Sequence, residues 1–503
     1  MQSNYQRFLG PIFQRAQVEQ RRSEITRQAA IVGGKEGLQT FLTEAVISDD
    51  QKIIVPPEFN GKDYVTFLLH IDAEIEHGLM LQYLYAAYSL GGPQVPEQPT
   101  KYREQISSWQ EVILGIAKEE MGHFVSVQNV LKLLGAPLHF ERQDYPWDTP
   151  FYPFPFKLEP LTLNSLAKYV YAEAPSSWLN GPDPLAKEIT SLVTQDVHNP
   201  HNVGALFQVL LQLIQDPSVI GDEIFQADTY PFQAKFDEWG RGYAGGQRGN
   251  TQGGSPAGSP NVLVMPLASR DDAFNALNAI AEQGEDNTVE TKDDPSHFTR
   301  FLNIYTEMKA MIAEVGTAWT PARNVAVNPY ISSDVSDGSS DPSEGQTTDE
   351  ERDEITNPEA QGWGHLFNLR YRMLLNFLTH SFVLEDGLNC AGDMTPRGLI
   401  INSTFGEMYN LRAIASAMVQ LPLKMGTGNK YAGPPFLVPY TLALPTGELN
   451  RWRTHADLIQ ASAQIINDLV AATPTKNHRY LNGLLEADKK LQQIINEMLS
   501  VNA

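Results

Sequence analysis

The sequence predicts an all-α protein, and three observations carry that expectation. Apolar residues recur at spacings of three and four along most of the chain, the period of one helix face, while strand-like alternation is scarce. Segments rich in Pro, Gly or acidic residues interrupt long helical blocks at 144–160, 244–260 and 332–354. No self-similarity occurs at a repeat-protein period, which argues against a solenoid.

Taken in chain order, Met1–Gly34 mixes Arg15, Arg21, Arg22 and Arg27 with Glu19 and Glu24. It lacks the apolar core of a secretory signal and is expected as a surface helix within an N-terminal helical arm, residues 1–60. Long helices are predicted over Tyr64–Leu90, Tyr102–Leu134, Asp271–Gly284, Ser296–Val315, Gly364–Leu384 and Thr404–Gln420, with a further one starting near Asp457. Between 144 and 160, Pro146, Pro150, Pro153 and Pro155 block helix, while Trp147, Phe151, Tyr152 and Phe154 supply apolar surface to bury. That segment is read as an ordered loop and a candidate wall of a substrate pocket. Residues 244–260, rich in Gly, Ser and Gln, read as a flexible linker, and 332–354 as a solvated acidic insertion. The implied division is a helical domain over 61–320, an acidic Ser-rich linker over 321–360 and a C-terminal helical region over 361–503.

Composition excludes several classes of function. The 503 residues are 42% hydrophobic and 19% charged, a globular balance, and carry a net charge of −23. Such a field repels phosphate backbones and anionic membrane surfaces, so neither nucleic acid nor membrane is expected as a partner. No apolar run approaches the roughly 20 residues of a membrane-spanning helix. The single cysteine, Cys390, cannot form an internal disulfide and points to a reducing compartment, the cytoplasm.

The chemistry lies where charged residues interrupt apolar stripes. Trp109, Ile113, Ile116, Glu120, His123, Val127, Val130 and Leu134 alternate steps of four and three, so Glu120 and His123 share a core face. The preceding helix repeats the rhythm with Leu69, Ala73, Glu76, Met80, Tyr83 and Ala87. A rival register, His70, Glu74, His77, Leu81, Leu84 and Tyr88, must look outward or toward another helix. Unpaired carboxylates are costly to bury, and metal coordination is one remedy. One Glu and one Glu-x-x-His on facing helices make half of a carboxylate-bridged two-metal site in a four-helix bundle. Downstream, Asp294-Pro-Ser-His297 opens a helix with His297, Phe301, Ile304 and Met308 on one face, and Glu285 ends the face of Phe274, Leu277 and Ala281. These supply the other half, with Asp294 either a ligand or a helix cap. Tyr83, two turns beyond Glu76, is placed as a hydrogen-bond or one-electron donor. His198 and His201, and His365 and His380 with Glu385, read as ordinary surface residues.

Glu76 with Gln82-Tyr83, then Lys118-Glu-Glu-Met-Gly-His123 running into Leu134-Gly-Ala-Pro137, resembles the first two helices of the ferritin-like superfamily. With Tyr171-Ala-Glu-Ala-Pro175, Glu282-Gln-Gly-Glu285 and Ser296-His-Phe298, the chain is similar to the ferritin-like domain of iminophenyl-pyruvate dimer synthases of the violacein and indolocarbazole pathways. The resemblance spans about Gly61 to Val315 and continues more weakly through Phe367-Asn-Leu-Arg-Tyr371 and Pro434-Pro435-Phe436.

That resemblance implies a ferritin-like bundle with long loop excursions, followed by helices that cover it. It also implies a site of two iron ions, or manganese or a mixed pair, held by Glu76, Glu120, His123, Glu173, Glu285 and His297. The expected activity is oxidation of a small aromatic or amino-acid-derived substrate with oxygen or peroxide, by a chain that could assemble as a homo-oligomer. The rival expectations are a ferroxidase or peroxide scavenger and a metal-free structural or binding protein.

Overall fold

The computed structural model describes residues 53–91, 102–148, 151–197, 200–239, 261–284, 295–316, 319–332, 352–385, 395–426, 429–438, 442–472 and 475–501. The expected N-terminal helix, the 244–260 linker, the 333–351 part of the acidic insertion, Cys390, Asp294 and Glu285 lie outside them.

Two long helices form the base of the bundle: α1 (Gly61–Ser89), capped by the Asn60 side chain on the Asp63 amide, and α2 (Arg103–Leu133). They run antiparallel, since Gln110 reaches the Ala87 carbonyl at one end and His70 meets the Pro137 carbonyl at the other. The opposing half is built from shorter pieces. Helix α3 (Leu163–Glu173) starts at a Thr162/Ser165 capping box and is followed by α4 (Ser176–Leu179) and α5 (Pro184–Asp196). Helices α6 (Gly204–Gln215), α7 (Phe236–Trp239), α8 (Arg270–Gly284) and α9 (His297–Val315) complete it. Helix α3 pairs with α9 and α6 with α8, while α6 lies on α1 and both α8 and α9 touch α2. The ends of four short helices therefore meet over the middle of the long pair.

Ser296 caps α9, its hydroxyl accepting from the Thr299 amide, so the cap role considered for Asp294 belongs to Ser296. Helices α5 and α6 were not among the predicted segments. In α6 the polar Gln208, Gln212 and Gln215 share one face at spacings of four and three, a helical signal confined to twelve residues.

The segment 261–267 crosses α2 in extended form. Ser126 donates to the Leu263 carbonyl, and Asn129 bonds the Ala234 and Met265 carbonyls. Gly122 lies under this crossing, where an added Cβ would sit 3.0 Å from Val262 Cγ1 and 3.1 Å from the Leu263 nitrogen. Gly122→Ala is expected to destabilise the fold by about 1–3 kcal/mol through overpacking, measured by urea unfolding.

The C-terminal region comprises α10 (Pro358–Ser381), α11 (Pro396–Met418), α12 (Glu448–Ala472) and α13 (Thr475–Val501). The main core runs without interruption from Tyr64 to Leu484. It takes in Val325, Ala326, Ile331 and Ile355, so the described flanks of the expected 321–360 linker pack inside. The rival register of α1 faces these C-terminal helices, with His77 beside Tyr371.

His380 corrects the expectation of a surface residue: it is fully buried, 2.9 Å from both His455 Nε2 and Glu448 Oε1. The predicted helix stopped short of this packing because α12, which supplies both partners, begins at Glu448 rather than near Asp457. Burial, then the neighbouring His380, holds His455 well below the ordinary value of 6.5. A lowered imidazole means that the unfolded chain takes up the proton first, so this group costs stability as pH falls below 6.5. Unfolding free energy measured from pH 7 to 5 should fall less steeply in His455→Gln than in the parent.

Candidate metal centre

Glu76 from α1, Glu120 and His123 from α2, Glu173 at the end of α3 and His297 at the start of α9 converge at the junction of the short helices. All five are buried. Their donor atoms form two groups, Glu76–Glu120–His123 and Glu120–Glu173–His297, each with all its atoms within 4.8 Å of one another. Glu120 belongs to both. Its Oε2 lies 3.0 Å from His123 Nδ1 and its Oε1 3.0 Å from His297 Nδ1. A cavity of about 20 Å³, lined by Glu76, Glu120, His123, Glu173 and Gly284 among others, lies between them.

Each imidazole is oriented from behind. His123 Nε2 faces Gln283 Oε1 at 2.8 Å, and the Gln283 amide is itself held by donating to the Asn261 carbonyl at 2.9 Å. His297 Nε2 faces Glu119 Oε2 at 3.0 Å. Glu119 is fixed in turn by Arg300 and by the Asn261 amide at 2.6 Å. With Nε2–H committed to these acceptors, both rings present Nδ1 to the carboxylates, the tautomer a metal ligand needs. Tyr83 donates to Glu173 Oε1 at 2.5 Å, which places it as the group that positions that carboxylate.

Electrostatics mark the same set. Burial, reinforced by Glu76 and Glu173, pushes Glu120 well above the usual carboxylate range despite His297. Burial opposes charge on His297, but Glu120 and Glu119 outweigh it and lift the ring to about 10. Burial also works against Glu119, yet Arg300 and His297 hold it at about 2. Glu76 Oε2, Glu120 Oε1 and His297 Nδ1 are buried and make no well-aligned hydrogen bond, although the last two stand 3.0 Å apart. Oxygen and nitrogen donors left in that state, around a small cavity, fit divalent or trivalent transition-metal ions.

The structure thus brings together Glu76, Glu120, His123, Glu173, His297 and Tyr83, whereas Glu285 lies outside the described residues. Sequence reasoning missed Glu119, Gln283 and Arg300. The adjacent acids Glu119-Glu120 and the His297-x-x-Arg300 spacing were the available signals. It also missed Asp72, one turn before Glu76 and fully buried with both oxygens unpartnered. Burial and the charge of Glu76 hold that carboxyl well above its ordinary range. The aromatic loop after α2 does not line this cavity: Phe154 packs on Tyr169, and Tyr152 donates to Glu74.

A model of the Ferritin-like family matches residues 69–306, the stretch that contains all of these donors. This chain carries a ferritin-like domain. Dichlorochromopyrrolate synthase of Lentzea aerocolonigenes is 26% identical over 400 residues, 74% of this chain and 36% of that protein. The 2-imino-3-(indol-3-yl)propanoate dimerase of Chromobacterium violaceum is 23% identical over 410 residues, 76% of this chain and 35% of that protein. The chain therefore spans about a third of the length of these relatives. A ferritin-like protein from Caulobacter vibrioides superposes with a TM-score of 0.37 and 15% identity, over 70% of this chain and 94% of that one. The ferritin-like domain here differs from a bare bundle in the short, interrupted helices of its second half and in the C-terminal helices that share its core. Among the described residues no helix is long and apolar enough to cross a membrane.

Proposed function

We propose that the ferritin-like domain is a non-haem two-metal oxidoreductase, using iron or manganese with oxygen or peroxide on a small aromatic or amino-acid-derived substrate. The shared position of Glu120 between two donor groups carries this reading. The two relatives, a dichlorochromopyrrolate synthase and a dimerase of an indolyl imino acid, support the choice of substrate class. Glu76 with His123 would hold one ion and Glu173 with His297 the other, Glu120 bridging them, and Glu285 is proposed as a further ligand. Bound there, the ions would supply electron transfer to or from the oxidant. The chain's own residues do the rest. Gln283 and Glu119 keep both imidazoles turned inward, Tyr83 steers Glu173, and the apolar packing around the cluster excludes bulk water.

One feature favours a second reading, a peroxide-scavenging or ferroxidase role: the cavity of about 20 Å³ has room for a molecule of the size of water or dioxygen, not for an arene. Oxygen uptake by the iron-loaded protein distinguishes the two. The oxidoreductase reading expects uptake that rises several-fold when an aromatic imino acid, generated in situ from its amino acid, is supplied. Uptake that depends on ferrous iron alone, unchanged by the imino acid, would establish the second reading instead.

A further inference from the structure

A cavity of about 580 Å³ opens between α10 and α12, within the range of small-molecule sites, about 300–1,000 Å³. No residue of the metal centre lines it. Three pieces of chain build its walls. On α10, Gln361, His365, Asn368 and Arg372 follow at steps of four, three and four, which places them on one face. Helix α12 supplies Ile465, Asp468 and Leu469. The segment with Leu437 and Val438 is the third wall, pinned where the Asn368 side chain accepts from the Leu437 amide at 3.0 Å. Near Gly362 the two helices close on each other, since an added Cβ there would sit 2.8 Å from Leu469 Cδ2.

The polar groups on these walls differ in what they are bound to. Asn368 is committed to Leu437, and Gln361 donates to the Ile355 carbonyl at 2.9 Å. Arg372 is half-buried and makes no hydrogen bond or ion pair among the described residues. Its Nε is shielded from solvent and meets no acceptor. Burial alone draws the guanidinium below its ordinary value, so no described carboxylate, Asp468 included, stands close enough to offset the lost hydration. Arg370, two residues earlier on the same helix, is by contrast paired with both Glu407 and Asp488. In a chain of 60 acidic and 37 basic residues, a guanidinium left without a counter-charge is an exception, and an incoming oxyanion would supply what the fold does not.

The remaining lining defines the body attached to that oxyanion. Leu369, Leu437, Val438, Ile465 and Leu469 are aliphatic, and no Phe, Tyr or Trp stands among the described residues of the walls. Such a surface favours buried methylenes and offers no ring to stack on. Asp468, exposed on the same cavity, disfavours a second negative charge. We propose that this cavity binds an aliphatic monocarboxylate, its carboxylate on Arg372 and its alkyl chain against α12 and the 437–438 segment. Burial of the chain drives binding, and the guanidinium fixes orientation through charge-assisted hydrogen bonds. Nothing in this depends on the metal centre or on the reaction assigned to it.

Calorimetric titration of the full chain with octanoate, 1-octanol and octyl phosphate, in chelator-treated and metal-loaded forms, tests this. Octanoate should bind one per chain in both forms with a dissociation constant below about 1 mM. From hexanoate to octanoate, each added methylene should tighten binding about three-fold. Arg372→Gln should weaken octanoate about ten-fold or more while shifting 1-octanol less than two-fold. Ile465→Trp, which fills the cavity from the α12 side, should abolish binding of both, with circular dichroism and melting temperature as the check on folding. The proposal is overturned if octanoate does not bind at about 10 mM, if affinity is indifferent to chain length, or if Arg372→Gln weakens acid and alcohol alike. Tighter binding of octyl phosphate than of octanoate, or octanoate binding that requires the metal, would overturn it equally.

Discussion

Glu120→Ala should abolish metal binding at both positions, whereas His123→Ala and His297→Ala should each lose about one ion of the pair. The asymmetry follows from geometry: Glu120 belongs to both donor groups, each histidine to one. In the parent, elemental analysis after loading and desalting should give about two ions per chain, in Glu120→Ala well below one. Gln283→Leu separates ligation from orientation. It removes the acceptor that holds Nε2 of His123 and should weaken binding about 10–100-fold while leaving stoichiometry at saturating metal intact. Metal-free protein provides the control for folding. Glu120 stands 3.0 Å from both His123 Nδ1 and His297 Nδ1, so its removal also strands the imidazoles that it faces. Each variant is therefore compared with and without metal, and Glu120→Ala should gain nothing in melting temperature when metal is added. Retention of both ions by Glu120→Ala would refute the bridging assignment.

The second large effect is expected far from the cluster. Arg370→Ala should destabilise the protein by about 3–5 kcal/mol, the cost of stranding buried charges. Arg370 is almost fully buried and joins four helices. From α10 it reaches Glu407 of α11 at 2.9 Å, Ser462 of α12 at 2.6 Å and Asp488 of α13. Without it, Glu407 and Asp488 face each other in the interior, and burial already pushes Glu407 upward even with the arginine present. Replacing all three together, Arg370→Met with Glu407→Leu and Asp488→Leu, removes the stranded charge and should recover most of the loss. Urea unfolding of the single and triple variants measures both. A triple variant as unstable as Arg370→Ala would mean that packing, not charge, accounts for the effect.

Much of the centre was legible in the chain because its donors sit on long periodic helices. Glu76 and Glu120-x-x-His123 interrupt stripes that run for several turns, and a period of 3.6 states which side chains share a face whatever lies opposite. Glu173 was harder, as it ends an eleven-residue helix whose direction is set by α9 and by the Val203–Ala172 backbone bond. Helix α6 lay within reach of the same reasoning, since Gln208, Gln212 and Gln215 mark a polar face, but over twelve residues that pattern is brief. His380 was misplaced for a related reason: its burial is the work of α12, which contributes nothing to the local pattern around it.

By itself, then, the sequence determined the helical class, the two long stripes and the acids and imidazoles that interrupt them, since those depend on spacing within one element. Only the tertiary structure decided that Glu120 is shared, that a second face of α1 lines a cavity toward α10 and α11, and which nitrogen each histidine turns inward. The last depends on a partner across the fold: Gln283 stands 160 residues from His123, and Glu119 178 residues from His297. A hydrogen bond between residues so far apart leaves no periodic trace, because its energy is decided where the chain brings them together.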